Sequence, residues 1–360
     1  MIHVIGLLYS ANCEDIAYHK LTNIARVSSS SLMHEGSLFS KNLRESLPSG
    51  LKNVLFSVAD TGYLPRLNAL FQSANSNAKI DLYKIAILID VQENVSLCSL
   101  DQFFHIAYPI DVKGNSSAMR AFNANFRVVV LGIILESITP HGVVMYADAS
   151  SIFRGTLFYL FEYARSYDIV LYDTEKWVSF FRKVCAKRKC FKNDVKGKTM
   201  KEKFVIPSGG SGFPTNKKNN NEVIWKHSVW RHRIRYKSSL FLVKASPEGK
   251  DFARRYLKNV QDSGLLKWYS DQIGLYKTVD QLEPAKKIGY LPQSYLDWQF
   301  NMRSNIWKGK GERKNSCKFC AQEFLYLKEC GAMADKSCFH NCSLGRRLKV
   351  KHRKRRNTGK

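Results

Sequence analysis

The sequence lacks an uninterrupted apolar run of the roughly 18–20 residues that a membrane-spanning helix needs. Its first residues, MIHVIGLLYSANCED, contain a short apolar patch but neither a basic leader nor a cleavage site of the kind that signal peptides carry. We therefore expect a protein without a membrane anchor or secretion signal, and a cytoplasmic location follows by default. The chain also contains no internal repeat.

Acidic residues are scarce: 30 Asp and Glu stand against 57 Lys and Arg, which gives a net charge of +27. Such a balance favours anionic partners, namely nucleic acid, acidic lipid headgroups or phosphate-bearing small molecules. The basic excess is concentrated in residues 182–203, 226–237 and the tail that begins at Lys308. Solvated loops and a basic tail would explain much of the same charge.

Hydrophobic residues make up 44% of the 360 residues, enough for a sizeable core in one large α/β domain or two smaller ones. Apolar runs at 53–60 (NVLFSVAD) and 79–90 (KIDLYKIAILID) flank a helical segment, which is how a parallel sheet begins. We predict an α/β fold with a mixed, mostly parallel sheet flanked by helices and a basic, Cys-containing C-terminal tail. The predicted helices and strands that follow are the helices at 117–137, 151–164, 247–260 and 268–279, and the strands at 142–150, 168–172, 238–246 and 287–292.

The predicted organisation has three parts. Residues 1–50 form an N-terminal extension, residues 51–314 form the α/β domain, and residues 315–360 form a Cys-rich basic tail. Within the domain, the stretch at 185–237 is rich in basic residues, Gly and Asn, so it is predicted to be a loop or insertion.

The central stretch is HGVVMYADASSIFRG (141–155), in which an apolar strand delivers Asp148 and a predicted helix follows at once. A buried strand that ends in Asp places the carboxylate at the carboxyl edge of the sheet, where ligands bind in α/β folds. Asp148 is therefore a candidate to hold a diphosphate, directly or through a divalent cation. The structural alternative is that Asp148 caps the following helix.

Other candidates flank this strand in the sequence. Asp60 ends the first strand and precedes Thr61, Gly62 and Tyr63, while Arg127 shares a helix face with Arg120, seven residues earlier. Both arginines have an alternative as surface charges beside a core stripe. A basic run with glycines, Lys308, Lys310, Arg313 and Lys314 interleaved with Gly309 and Gly311, could clamp a phosphate because glycine lets the backbone approach closely. An ordinary basic loop has the same composition.

Taken in order, these pieces resemble the nucleotide-diphospho-sugar glycosyltransferases of the GT-A fold, over roughly residues 53–314. VLFSVAD with Thr61–Tyr63 resembles the element that holds the nucleotide, VVMYADAS resembles the hydrophobic-x-D-x-D strand, and WKGK (307–310) resembles the phosphate-clasping end. The block FLVKASPEGKDFARRYL followed by KWYSDQIGL resembles the acceptor-side section with its Asp-Gln pair.

The resemblance implies a GT-A-like (Rossmann-like) enzyme that transfers a sugar from a nucleotide-sugar donor to a glycan, protein or lipid acceptor. It implies donor binding by Asp60, Thr61, Tyr63, Arg127, Asp148, Lys308 and Lys310. Asp271 and Gln272 would act as catalytic residues or contact the donor sugar, where an exposed helix pair is the alternative.

The family's second motif acid is Ser150 here, so the motif reads D-A-S. A hydroxyl ligates a cation without contributing charge, so metal affinity should fall. Three outcomes stay open: a weaker Mn²⁺ or Mg²⁺ site at Asp148 and Ser150, a metal-independent site that relies on the lysines, or a domain without activity.

Five of the nine cysteines cluster near the end of the chain. Cys317-x-x-Cys320 is half of a zinc knuckle, and Cys338 and Cys342 could supply the other half of a structural Zn²⁺ site. Free thiols in a tail are the alternative. The terminal RRLKVKHRKRRNTGK could lie on an acidic membrane surface or bind nucleic acid.

A rival function follows from the same features. The charge, the aromatics in WKHSVWRHRIRY and the cysteines also suit a nucleic-acid-binding protein with a zinc-stabilised C-terminus and a non-catalytic α/β scaffold.

Overall fold

A seven-stranded sheet lies between two layers of helices, and the computed structural model describes it over residues 27–91, 95, 97–173, 236–262, 265–282, 287–309 and 314–330. The strands are β1 (Val27–Ser28), β2 (Asn53–Asp60), β3 (Tyr83–Ile89), β4 (Gln102–Ile106), β5 (Val143–Ala147), β6 (Ser151–Phe153), β7 (Ile169–Asp173), β8 (Tyr236–Lys244), β9 (Leu265–Leu266), β10 (Ile288–Tyr290) and β11 (Ile306–Lys308). The helices are α1 (Ser29–Ser46), α2 (Leu64–Asn77), α3 (Ser116–Ser137), α4 (Phe158–Arg165), α5 (Pro247–Gln261), α6 (Ser270–Leu282) and α7 (Cys317–Glu329).

The sheet order is β10-β7-β8-β5-β2-β3-β4. Strand β8 runs antiparallel to both of its neighbours, and every other pairing in the sheet is parallel. The prediction of a mixed, mostly parallel sheet flanked by helices is therefore confirmed. Because β8 reverses direction between β5 and β7, the carboxyl ends of β2, β3, β5 and β7 all lie at the same edge.

Strand β2 shows why the central strands read as continuous apolar runs. Its side chains alternate between the two cores: Val54 and Phe56 pack with α1 and α3, whereas Leu55 and Ala59 pack with α2 and α4. A strand covered on both faces has no solvent side, so it needs no polar alternation.

Helix α3 is the longest helix of the described ranges and crosses from β4 back to β5. Asn115 caps it by accepting hydrogen bonds from the backbone N–H groups of Ser117 and Ala118. By length and composition α3 could cross a membrane, and among the described helices it alone passes that test. Most of its residues are buried inside the protein, as expected for a core helix.

The ordered domain extends beyond the predicted boundaries of 51–314. Helix α1 lies in the predicted extension, yet Leu32, Phe39 and Leu43 are buried in the main core. Helix α7 lies in the predicted tail, and it packs against α2 through an ion pair in which Nε of Arg66 lies 3.5 Å from Oε1 of Glu323. Of the predicted insertion at 185–237, only the first two residues of β8 are described.

The helix predicted directly after Asp148 is wrong over its first residues. Residues 151–153 form β6, which pairs antiparallel with β11, and α4 begins only at Phe158. Ile152 and Phe153 are buried in this short ladder. The long-range pairing with β11 decides the structure here, because three residues carry too little periodicity to distinguish a strand from a helix.

Candidate functional site

Four aspartates stand at the carboxyl edge of the sheet. Asp60 and Asp173 end β2 and β7, and Asp90 and Asp148 directly follow β3 and β5. This is the edge at which open α/β sheets bind ligands. An acidic edge alone identifies no ligand, so the partners of each carboxylate decide what the site can do.

Asp148 lies between two cations. Its Oδ1 accepts hydrogen bonds from Nη1 of Arg127 at 2.7 Å and from the hydroxyl of Tyr146 at 2.6 Å, and its Oδ2 accepts from Nζ of Lys308 at 2.5 Å. The side chain keeps 29% of its surface exposed, whereas those of Arg127 and Lys308 keep 8% and 6%. The carboxylate is thus the part of the cluster that faces solvent. Among the described residues its side chain caps no helix, and the next helix begins only at Phe158, so the alternative that Asp148 caps the following helix is wrong.

Arg127 joins Asp148 to a second carboxylate. Its Nη2 lies 2.7 Å from Oδ2 of Asp271, whose side chain is fully buried, and its Nη1 also donates to the carbonyl of Ser238 at 3.2 Å. The guanidinium lies over the ring of Tyr146, 4.9 Å from the centroid. Arg127 therefore links α3, β5, β8 and α6, and its hydrogen bonds are directed at protein atoms.

The pKa values of the two carboxylates, Asp148 and Asp271, are shifted in opposite directions. Burial disfavours the charge of Asp148, but Lys308 and Arg127 outweigh it and lower the pKa below its usual range. Burial dominates at Asp271 and raises its pKa although Arg127 opposes the shift. Burial likewise raises the pKa of Tyr146, so its phenol is a hydrogen-bond donor to Asp148.

Lys308 reaches Asp148 through the β6–β11 ladder, in which it stands opposite Ser151. The backbone N–H of Gly309 donates to the carbonyl of Ser150 at 2.8 Å. The Ser150 hydroxyl accepts from Nζ of Lys308 at 2.9 Å and donates to the carbonyl of Gly309 at 2.9 Å. One ammonium group therefore bridges Asp148 and Ser150, the two positions at which a metal was predicted.

The predicted nucleotide side lies at the end of the neighbouring strand. Asp60 accepts hydrogen bonds from the N–H of Gly62 at 3.1 Å and from the side-chain amide of Asn123 at 2.9 Å. The hydroxyl of Thr61 donates to the carbonyl of Asp90 at 3.4 Å. Tyr63 accepts from Nζ of Lys314 at 3.1 Å, and the same ammonium lies 4.6 Å from its ring centroid.

One face of α3 lines the edge of the sheet. Asn123 and Arg127 are one turn apart, and they reach Asp60 and Asp148 respectively. Arg120 lies one turn before Asn123 on that face and is exposed. Arg120 and Arg127 therefore share a helix face as predicted. Arg127 is buried and pairs with Asp148 and Asp271, whereas Arg120 is exposed.

The two residues of the predicted Asp-Gln pair differ in burial: Asp271 lies in the interior and Gln272 is half-buried. Asp271 is buried in the first turn of α6, so as it stands it braces Arg127 beneath the site instead of facing a substrate. Gln272 is half-buried beside it. The alternative of an exposed helix pair is wrong for Asp271, because its side chain is buried against Arg127.

The donor set does not fit a divalent cation in this arrangement. Both oxygens of Asp148 accept hydrogen bonds from cationic side chains, and the Ser150 hydroxyl bonds the same lysine. Among the described residues, no group of three or more His, Cys, Asp and Glu side chains could hold a metal ion. Hard cations need several unshared oxygen ligands.

The zinc prediction is not supported. Cys317 and Cys320 are disulfide-bonded, so neither supplies the thiolate that zinc requires. A further disulfide joins Cys98, in the loop after β3, to Cys330 at the end of α7, with the Cα atoms 5.7 Å apart. Cys338 and Cys342 lie outside the described residues, as do Lys310, the WKHSVWRHRIRY segment except for its final Tyr236, and the basic tail beyond Cys330.

The sequence analysis missed two contributors, Tyr146 and Asn123. Tyr146 is two residues before Asp148 on the same strand, so the two-residue period of a strand was the available signal. Asn123 is four residues before Arg127, which places both on one helix face. Lys314 belongs to the predicted basic clamp at 308–314, but its contact with Tyr63 spans 251 residues of sequence and was not predicted.

Similar solved structures include two glycosyltransferases. The apo structure of the bifunctional glycosyltransferase WbbM shows 12% identity and a TM-score of 0.43, covering 78% of this chain and 50% of that chain. The galactosyltransferase LgtC, in complex with donor and acceptor sugar analogues, shows 10% identity and a TM-score of 0.42, covering 79% of this chain and 98% of that chain. This chain thus spans about half the length of the WbbM chain.

No family model and no curated protein matches this sequence. Both of these solved structures are named as glycosyltransferases. Similarity at this level assigns no activity, so a functional assignment has to come from the residues at the edge of the sheet.

Proposed function

We propose that this protein is a glycosyltransferase that transfers a sugar from a nucleotide-diphospho-sugar to an acceptor. One observation carries the proposal: Asp148 is part-exposed at the carboxyl end of a central strand, and a buried lysine 160 residues away in the sequence contacts it. Asp60 and Tyr63 lie at the end of the adjacent strand β2, so a nucleotide and its diphosphate could span the two strand ends.

Transfer of a sugar from a nucleotide-diphospho-sugar requires positive charge near the diphosphate. The leaving nucleoside diphosphate gains negative charge as the glycosidic bond breaks, and a fixed cation that meets this charge lowers the barrier. Lys308 would stabilise the diphosphate, and Asp148 would hold the ammonium in position. The exposed edge of Asp148 is also available to hydroxyl groups of the donor sugar.

Arg127 and Asp271 would act as positioning residues. Arg127 fixes the orientation of Asp148, and Asp271 neutralises the guanidinium that is thereby buried. This revises the predicted donor-binding role of Arg127 and the predicted catalytic role of Asp271. Gln272 remains the member of that pair with access to solvent.

Release of nucleoside diphosphate from a panel of UDP- and GDP-sugars, with and without candidate acceptor glycans, tests the activity. Asp148→Asn should lower turnover by about a hundredfold, since the fixed electrostatic contacts of an active site are typically worth this much. Asp101→Asn is a suitable control, because Asp101 is also paired with a lysine, Lys84, but near the amino end of β3. Turnover that is equal in both variants, or absent in the wild type with every donor, would refute the assignment.

The acceptor and the compartment are open to proposal. Glycan, protein and lipid acceptors suit a strongly basic protein, and the basic tail could hold it at an acidic membrane surface. Disulfides persist in oxidising compartments, so Cys98, Cys330, Cys317 and Cys320 favour such a compartment over the cytoplasm expected by default. Mass spectrometry of alkylated, non-reduced protein purified from its native source would decide between the two locations.

The nucleic-acid alternative rests on segments beyond the described ranges and on net charge. It remains a prediction. Retention of RNA or DNA at physiological salt by the full chain, together with no turnover of any nucleotide-sugar, would favour it.

A further inference from the structure

Two of the cations at the edge of the sheet, Lys308 and Lys314, come from one part of the chain, here called the C-terminal segment: residues 306–309 together with residues 314–330. Lys308 belongs to its strand β11, and Lys314 precedes its helix α7. Helix α7 is tied to the body of the domain by the Cys98–Cys330 disulfide and by the Arg66–Glu323 ion pair. The positions of both lysines are therefore fixed by long-range contacts.

The two lysines stand at two neighbouring strand ends. Nζ of Lys308 contacts Asp148 after β5, and Nζ of Lys314 contacts Tyr63, three residues beyond the end of β2. Strands β2 and β5 pair directly in the sheet. Adjacent strands are about 4.8 Å apart, so the residues that the two ammonium groups contact follow neighbouring strand ends.

The charges near Asp148 leave no deficit for a metal to fill. Asp148 and Asp271 carry two negative charges, and Lys308 and Arg127 carry two positive charges within hydrogen-bonding distance of them. A divalent cation at this place would need to displace the Lys308 ammonium from Asp148 and Ser150. It would then have one carboxylate and one neutral hydroxyl as protein ligands, a weak set for Mn²⁺ or Mg²⁺.

We infer that Lys308 and Lys314 take the place of the divalent cation and bind the donor diphosphate without metal. This inference rests on the proposed function and specifies how the same site recognises its donor. The Lys308 ammonium bridges Asp148 and the phosphate oxygens as a metal would, and Lys314 supplies a second charge at the nucleotide side. Lysine suits this task because its ammonium is a compact point charge.

Isothermal titration of UDP and GDP into the full chain tests the inference, once in the presence of EDTA and once with Mn²⁺. The expected result is binding of one nucleotide with the same Kd in both buffers. Lys308→Met and Lys314→Met should each weaken it by about tenfold or more, since each removes a charge-assisted contact. Lys308→Arg keeps the charge and should retain part of the affinity.

The matched control is Lys84→Met. Lys84 is buried like Lys308 and pairs with the part-exposed Asp101 at 2.9 Å, but it lies near the amino end of β3, away from the proposed site. It should lower stability as Lys308→Met does and leave nucleotide affinity unchanged. If Lys308→Met does not fold, Lys314→Met and Lys308→Arg carry the test.

A double variant tests whether binding can be made dependent on a metal. Lys308→Ala combined with Ser150→Asp removes the ammonium and adds a second carboxylate beside Asp148. This double variant should bind the nucleotide only when Mn²⁺ is present.

The outcomes separate the inference from the proposed function. Wild-type binding that appears only with Mn²⁺ overturns the inference and leaves the glycosyltransferase proposal standing. Equal affinity in the wild type, Lys308→Met and Lys314→Met also overturns it. An absence of binding in both buffers refutes the inference and the proposed function together.

Discussion

Nζ of Lys308 lies 2.5 Å from Oδ2 of Asp148, although 160 residues separate them in the chain. The contact depends on the antiparallel pairing of β11 with β6, which brings Lys308 opposite Ser151. The lysine side chain is buried, and the carboxylate remains part-exposed at the edge of the sheet.

Acid should weaken the contribution of Asp148 to stability. Its pKa is lowered in the folded state, so its contribution is fully present above the unfolded value of about 3.9 and is lost as the pH falls through the lower folded value. Urea unfolding of wild type and Asp148→Asn should therefore show a constant difference near neutral pH that shrinks below about pH 4. A difference that persists unchanged in acid would contradict the assignment of charge to this group.

Arg127→Met should destabilise the fold severely. The substitution leaves Asp271 fully buried without its cation, and breaking a buried pair in this way costs about 3–5 kcal/mol. The measurement is the free energy of unfolding in urea. Replacing both partners, as Arg127→Met with Asp271→Leu, should recover part of the loss.

Arg255→Met is the control for Arg127→Met. Arg255 pairs with Asp251 on the exposed face of α5, where an ion pair is worth about 0–1 kcal/mol. Equal losses in the two arginine variants would mean that the buried pair is not the reason for the effect.

Gly309→Ala should lower donor affinity. An added Cβ would lie 2.8 Å from Cβ of Lys314 and 2.9 Å from Cζ of Phe319, so residue 309 must shift and carry Lys308 with it. Gly132→Ala is the control, since its Cβ meets nothing within 4 Å and the change should stabilise α3 by about 0.5–1 kcal/mol. Nucleotide affinity in Gly309→Ala equal to that of Gly132→Ala would argue against a site at this segment.

Removing the Cys98–Cys330 disulfide should loosen the C-terminal segment. The bond links residues 232 apart, and loss of such a native disulfide costs about 2–5 kcal/mol. Thermal unfolding of Cys98→Ser/Cys330→Ser should show a lower Tm, and nucleotide affinity should fall because Lys308 and Lys314 depend on this segment. A Tm equal to that of the wild type would show that the bond does not form in the protein.

The residues at the carboxyl edge of the sheet were easier to predict from the sequence than the order of the strands within the sheet. The runs that end in Asp60 and Asp148 are recognisable because strands buried on both faces read as continuous apolar stretches. Strand β4 and the place of β8 between β5 and β7 were not predicted, since strand order depends on packing between distant segments.

In the candidate site, too, individual residues were predictable from local sequence patterns, whereas contacts between distant segments were not. Asp148 and Lys308 could be proposed from local patterns, but their contact could not. The burial of Asp271 follows from the charge of Arg127, which lies on another helix, and periodicity within α6 does not report it. The disulfide pairing of Cys98 with Cys330 likewise depends on the packing of α7 against α2.

The most direct test of the central claim is a crystal structure of the protein with the nucleoside diphosphate that it binds. We expect the diphosphate at the carboxyl ends of β2 and β5, with its oxygens within hydrogen-bonding distance of Lys308 and Lys314. A diphosphate bound elsewhere, with the Lys308–Asp148 pair sealed from it, would contradict the account.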